Sequence, residues 1–535
     1  MHTNSRTVRL RKTALSAAVL VAAALGSAAC TDLTETPPSA VSPAAFYQND
    51  QQVLSALAGM YSGLHDVQQQ YFNLSQVSTD ETIVPTRGSD WYDNGQWLDT
   101  YQQTYGPNTA AGTSGDLASG AYGTLFTDIA RVNSVLASLQ TANTGNKATA
   151  VAEARFLRAF YYYMLQDLFG GVPLVTNTEI TARPRNTRAE VVAFIEKELL
   201  DVRGTLPAKW DDANYGRVTQ GAVDALLTNL YLNAQVFTGT PTANGITAGT
   251  ARWQDAATTA DKVLNSGQYT LSPTFQKNFR PDNGTNWKSN PGGVPENIFV
   301  VRSSTANGLG LYLVFRATHY NSFSGGGWNG FSTIAETYNK FDPADSRNSI
   351  FLVGPQKALD TGVPINDRQG KPLVFVPTIG DVHAAAENEG VRVVKFTYDA
   401  SRVGNDNGND LTIFRLADVM LMKAEALNEL GQTAAAVALV NQVRARDFSP
   451  AKPLNAGNFS QATFRQQLLN ERLFEMTGEG KRRQDMIRFG VSGITPNPFI
   501  ASRQFKPQTP GYKELFPIPT PQIQSNPQLT QNPGY

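Results

Sequence analysis

The sequence predicts a mainly α-helical fold with a loop-rich, minor-β insertion, and three observations carry that expectation. Between residues 46 and 267, apolar residues recur chiefly at helical spacing. Between 268 and 410 the periodicity gives way to dense Gly, Pro and Asn with short strand-like runs. From 416 to 446 it returns as a helix, a turn at Gly431 and a second helix. Ala424 and Ala436 stand seven residues before that glycine and five after it. Small residues at those places let the two helices of a tetratricopeptide-like hairpin approach closely. Ala256, Ala260 and Val263 repeat the second-helix pattern. A repeat and two unrelated amphipathic hairpins account for these residues equally well.

Taken in order, helices are expected at 46–64, 125–139 and 150–169. In the last of these Phe156, Phe160 and Tyr163 fall at i, i+4 and i+7, giving one aromatic face. Gly170, Gly171 and Pro173 end it. Helices at 188–203, 219–236 and 253–264 follow. In the insertion, strands are expected at 298–302, 311–315 and 391–396. Residues 405–410 (NDNGND) resemble a calcium loop, but with Gly408 at the sixth place the twelfth is Phe414 rather than Glu. They read instead as a turn into the next helix. The tail, 514–535, is Pro-rich and non-periodic, which suits an extended segment wrapping the surface.

Composition narrows the function. Of 535 residues, 45 are Lys or Arg and 45 Asp or Glu. That balance argues against a nucleic-acid or polybasic membrane-surface protein. An apolar content of 41% excludes wholesale disorder. A single cysteine, Cys30, excludes an internal disulfide or a cysteine-cluster metal site.

The charge is uneven. Residues 1–29 carry Arg6, Arg9, Arg11 and Lys12 and no acid, then an apolar run, then Gly26, Ser27, Ala28 and Ala29 ahead of Cys30. A basic start, a short apolar stretch and a small-residue exit describe a removable export signal. Cys30 directly after the exit fits a lipoprotein anchor, with Ser27 standing where such signals usually have Leu. Ordinary cleavage after Ala29 is the alternative. Removing 1–29 takes away four basic residues and leaves a net charge of −4. Residues 30–45 then read as an extended tether.

Catalytic patterns are weak. His65, His319 and His383 are scattered, and there is no His-Glu-x-x-His helix, Gly-x-Ser-x-Gly elbow or Walker loop. Gly325, Gly327 and Gly330 formally fit G-x-G-x-x-G, but without a strand before them or a βαβ pattern around them. Glu471, Glu475, Glu479 and Asp485 are interleaved with Arg472, Lys481, Arg482, Arg483 and Arg488, which suits a salt-bridge network around a helix end.

Loop aromatics are more informative. Trp91 and Trp97 flank Asp93 and Asn94 in a segment with no helical face. Tyr320 and Trp328 flank a triple glycine, and Trp287 ends an Asn-Gly-Thr-Asn run. Flat rings beside amides suit sugars, whose C–H faces stack while their hydroxyls take hydrogen bonds. Each Trp could equally plug its own loop into the core.

The chain resembles the SusD/RagB family of outer-membrane nutrient-binding lipoproteins. The resemblance rests on Cys30 with Leu33 and Pro37, EARFLRAFYY (153–162), LFGGVPLV (168–175), RLADVMLMKAEALN (415–428) and NQVR (441–444). It continues through NERLFE (470–475), GKRRQDMIR (480–488), FPIP (516–519) and NPGY (532–535). It implies one domain over 46–535, with an N-terminal helical part (46–267), the insertion (268–410) and a C-terminal hairpin and tail (411–535). About four tetratricopeptide-like hairpins would form its scaffold. It further implies a non-enzymatic surface protein, palmitate-anchored at Cys30 in the outer membrane, which captures oligosaccharide or sometimes peptide. The partner would be a SusC-type TonB-dependent transporter, on which the protein sits as a lid. No cofactor, metal or nucleic acid is implied. Ligand residues would be Trp91, Asn94, Trp97, Tyr320 and Trp328. An exported glycoside-processing enzyme and a protein-binding tetratricopeptide scaffold are the alternatives.

Overall fold

A computed structural model describes residues 49–108, 117–306 and 308–535. The expected signal, Cys30, the tether and the first residues of the 46–64 helix lie outside them. Helix α1 (Asp50–Ser62) opens on Asn49, whose side chain accepts from the Gln52 N–H. A 3₁₀ turn leads to α2 (Gln70–Val77), then α3 (Gln96–Gln102), α4 (Leu117–Leu139) and α5 (Lys147–Phe169). Helix α6 (Arg188–Arg203) starts with a reciprocal cap. The Thr187 hydroxyl accepts from the Glu190 N–H, and the Glu190 carboxylate from the Thr187 N–H. Helix α7 (Gln220–Leu232) is capped by Thr219 and broken from α8 (Ala234–Phe237) at Asn233. The hairpin β1 (Thr240–Thr242)–β2 (Gly245–Thr247) precedes α9 (Trp253–Leu264).

The insertion contributes β3 (Asn297–Val301), the short helices α10 (Leu313–Ala317) and α11 (Ala335–Tyr338), the two-residue strands β4 (Phe351–Leu352), β5 (Gly354–Pro355), β6 (Val374–Phe375) and β7 (Arg392–Val393), and finally β8 (Leu411–Arg415). Helices α12 (Leu416–Glu429), α13 (Thr433–Arg444), α14 (Gln461–Met476), α15 (Arg482–Val491) and α16 (Thr520–Ser525) complete the chain.

Neighbouring helices pack in series. Helix α4 lies on α5, α5 on α6, α6 on α7, α7 on α9, α9 on α12, α12 on α13 and α14, and α14 on α15. Gly431, at φ +78°, turns α12 into α13, a conformation that side chains with a Cβ seldom adopt. Ala424 and Ala436 are fully buried there. The aromatic face of α5 forms as expected: the Phe156 and Phe160 rings are stacked 6.3 Å apart and Phe160 and Tyr163 6.1 Å apart, with Phe299 of β3 edge-on to the first two. Because α9 touches α12, the insertion leaves and re-enters the scaffold at one place, where β3 pairs antiparallel with β8. The main core fills the helical stack. A second, smaller core built from Val77, Ile83, Val84, Phe315, Phe323 and Phe331 underlies the loops.

Buried charge ties the C-terminal helices to the insertion. Glu475 of α14 accepts from Arg347, Arg415 and Arg446, and Arg415 also reaches Glu296 and Glu479. All six side chains are essentially buried. Burial alone would raise the Glu475 carboxyl, but Arg446, Arg415 and Arg347 outweigh it and hold it well below the usual range. Asp485 pairs with Arg472 and Arg488. The acidic group of the sequence is therefore structural.

Several expectations are corrected. Residues 311–315 are not a strand: Leu311 makes one bridge to Asn407, and α10 follows. A helical turn sets Tyr312 and Phe315, three residues apart, on one side against Trp328. Of 391–396 only Arg392 and Val393 are strand, paired with β4. The 405–410 turn leads into β8 before any helix, with Asp410 accepting from the Ser303 N–H and Asn409 donating to the Phe279 carbonyl. The tail is not merely a surface wrap. Leu515, Phe516 and Ile518 are core, Phe516 stacks on Tyr105 at 4.6 Å, and its N–H donates to the Leu168 carbonyl. Asn532 donates to the carbonyls of Phe169 and Phe516.

Candidate ligand-binding site

The segment between α2 and α3 carries an unusual backbone. Trp91, Asp93, Asn94 and Gly95 all have positive φ (64°, 38°, 56° and 82°). For a bulky residue such as Trp91 this costs on the order of 1–3 kcal/mol and persists only where the surroundings over-determine it. They do so here. Arg87 and Asp90 exchange backbone hydrogen bonds, the Trp91 indole N–H donates to the Trp328 carbonyl at 2.7 Å, and the Trp97 indole N–H donates to Asp93 at 2.7 Å.

The result is an aromatic surface assembled from distant sequence. Trp91 lies 6.5 Å from Trp328, 5.6 Å from Phe331 and 5.5 Å from Trp97, measured between ring centres. Tyr312 extends it, 6.0 Å from Trp328, with its hydroxyl donating to Gln69. A Cβ on Gly330 would lie 2.2 Å from the Trp91 ring, so only glycine lets the indole rest on that backbone. Trp91, Tyr312 and Trp328 are half-buried, each presenting part of a ring to solvent. Trp97 is 6% exposed. It belongs to α3, contrary to the expectation of a segment without a helical face, and its ring supports Trp91 edge-on from beneath. Asn94 stands exposed beside them, as does Tyr92 at 58%.

Buried arginines hold this surface from behind. Arg87 donates to the carbonyls of Asn329, Ala386 and Glu389 and to the Ser332 hydroxyl. Arg392 donates to the carbonyls of Glu387, Glu389 and Gly390, to Ser332 and to the Asn329 side chain. Arg316 lies between the Tyr312 and Phe331 rings, 4.8 and 5.2 Å from their centres, and donates to Gln68 and Asn73. Among the described residues none of the three forms an ion pair. Burial lowers Arg87 and Arg316 to about 10 and Arg392 well below its ordinary value.

Tyr320 sits to one side. Its hydroxyl donates to Asp90 at 2.5 Å, and the Arg368 guanidinium covers one ring face at 4.0 Å. Arg368 also binds Glu387, which contacts the buried His319 Nε2 at 2.9 Å. Burial lowers the His319 pKa, and its Nδ1 accepts from the Asn321 N–H, so the neutral ring donates from Nε2. An open depression of about 630 Å³ adjoins Tyr320, Phe323 and the triple glycine. The structure thus groups Trp91, Trp97 and Trp328 directly, links Tyr320 to them through Asp90, and leaves Asn94 at the rim. Sequence reasoning missed Tyr312, which sits in an apolar run that reads as strand, and Tyr92, which its two tryptophan neighbours could have flagged. Of the carboxylates here, Asp90 and Glu387 are engaged by Arg368, and Asp93 accepts from the Trp97 indole N–H. The arrangement offers fixed ring faces and amides rather than a positioned acid–base pair.

A family model described as the SusD family matches residues 238–535. A second, described as starch-binding associating with outer membrane, matches 33–232. SusD-like protein P2 of Formosa agariphila is 25% identical over 95% of this chain and 97% of its own. The starch-binding protein SusD of Bacteroides thetaiotaomicron is 25% identical over 87% of this chain and 85% of its own. Among solved structures, surface glycan-binding protein A from Bacteroides thetaiotaomicron in complex with laminarihexaose superimposes with a TM-score of 0.69 at 20% identity. It covers 91% of this chain and 100% of that one.

Proposed function

The chain belongs to the SusD family, and from that premise we propose that it captures oligosaccharides on the Trp91–Trp328–Tyr312 surface at the outside of the cell. The observation that carries this reading is the meeting of three part-exposed rings from separate segments, with the Trp91 N–H already spent on the Trp328 carbonyl. Such rings offer rigid faces for the C–H sides of sugars, and Asn94 and Gln69 supply amides for hydroxyls. Two similar proteins, one named starch-binding and one solved in complex with laminarihexaose, point to the same ligand class. Binding suffices; no step of bond cleavage is required of these residues.

In this reading Cys30 carries the lipid that tethers the protein to the outer membrane. The protein serves as the lid of a SusC-type TonB-dependent transporter, handing over what the loops capture. Replacing Trp91 and Trp328 together by Ala removes about 2 kcal/mol or more of binding, a loss of roughly 30-fold in affinity measured by calorimetry with maltohexaose and laminarihexaose. Unchanged affinity sinks the site, and release of shorter sugars sinks the pure-binding role. Palmitate labelling that disappears in Cys30→Ser supports the anchor; a wild-type protein without label overturns it.

A further inference from the structure

A second cleft, of about 780 Å³, lies on the helical side of the insertion and shares no lining residue with the surface just described. Its walls are Trp210, Tyr215 and Trp287, its floor Ile298 and Val300 of β3, and Asp212 stands at its rim. The size falls in the range of small-ligand sites, about 300–1,000 Å³. Both tryptophans are locked. The Trp210 indole N–H donates to the Val218 carbonyl at 2.9 Å, and the Arg217 guanidinium covers one ring face at 3.9 Å. Arg217 is itself fixed by the buried Glu153 of α5. The Trp287 indole N–H donates to the Gly284 carbonyl at 2.9 Å, and its ring lies 6.2 Å from Tyr215 at an interplanar angle of 28°.

Spent N–H groups leave these rings only their faces to offer. Arg217 is committed to Glu153 and Lys288 to Asp212, and the exposed Lys209 stands beside two carboxylates, Asp211 and Asp212. That pairing disfavours a phosphate or carboxylate ligand. An apolar floor with fixed ring planes and exposed carboxylates at the rim instead suits a ring with one C–H face and outward hydroxyls. We propose that this cleft is a second binding site for neutral saccharide rings, separate from the Trp91–Trp328 surface. The inference shares with the preceding reading only the ligand class.

The six tryptophans of the chain make the test direct. Trp91, Trp97 and Trp328 report the first surface, Trp210 and Trp287 the cleft, and Trp253 on α9 the fold. The full chain, labelled with 5-fluorotryptophan, is titrated with maltohexaose, laminarihexaose, xylohexaose and mannohexaose while ¹⁹F spectra are recorded. At least one sugar is expected to shift the Trp210 and Trp287 signals, and to do so equally in a variant carrying Trp91→Ala and Trp328→Ala. Trp287→Ala then weakens the effect at Trp210 at least tenfold with the Trp253 signal unmoved, whereas Trp287→Phe keeps it within about threefold. Shifts at Trp91 and Trp328 without any at Trp210 and Trp287 overturn the cleft alone. Cleft shifts that vanish in the double variant mean they were transmitted from the first surface, which also overturns it. Silence at all six removes both sites, and cleft shifts without first-surface shifts remove only the first.

Discussion

Where the C-terminal helices meet the insertion, buried arginines face carboxylates; behind the aromatic surface they face backbone carbonyls. Arg347, Arg415 and Arg446 converge on Glu475 and its neighbours, whereas Arg87, Arg316 and Arg392 bind carbonyl, hydroxyl and amide oxygens. The difference follows from where each region's polar groups are satisfied. A helix consumes its own N–H and C=O groups, so a cation inserted between helices needs an acidic side chain. An irregular segment buried over a small core leaves carbonyls unpaired, and a guanidinium with five N–H donors can satisfy several at once. One residue type therefore joins helices in one region and replaces secondary structure in the other.

The contrast can be broken or sharpened by substitution. The largest effect is expected from Glu475→Ala, which removes the one carboxylate that three buried cations share. Unfolding in urea should show a loss of about 3–5 kcal/mol, and a loss below about 1 kcal/mol would mean the network does not bind the helices together. Arg392→Lys keeps a long basic side chain but not the fork. It leaves carbonyls unsatisfied at about 1–3 kcal/mol and loosens the Asn329–Phe331 backbone. Sugar affinity at the Trp91 surface should fall about tenfold, with a smaller loss of global stability than in Glu475→Ala. Equal stability losses and intact affinity would erase the distinction between the regions. A third test is a pH dependence. Burial raises the Glu81 carboxyl, near Arg482, to about 8. An acid raised on folding contributes stability that is complete below its unfolded value and lost as pH climbs through the folded one. Wild-type stability relative to Glu81→Gln should therefore decline between about pH 4.5 and 8; a flat difference would remove Glu81 as a neutral acid.

The scaffold was legible where burial is one-sided. Residues 188–203 have a reciprocal cap and 253–264 a clear apolar stripe, and their helices match the expected spans. Helices α2 and α15 escaped because their buried faces are polar: Asn73, Ser75 and Gln76 in one, Arg482, Arg483, Asp485 and Arg488 in the other. Periodicity registers apolar side chains, not charges that become buried through partners far along the chain. At the candidate site, Trp91 and Trp328 stood out as loop aromatics. The supporting role of Trp97 depends on its contact with Phe331, and the placing of Tyr312 on its hydrogen bond to Gln69, each across more than two hundred residues, which no local pattern encodes.

The tail carries a consequence for the order of events in synthesis. Tyr105, Leu168 and Phe169 take partners from Phe516 and Asn532. The first helices leave the ribosome hundreds of residues before that cover exists, and their apolar surface stays incomplete until the last residues emerge. That patch of the core is therefore closed by a segment made more than three hundred residues after the helix it covers.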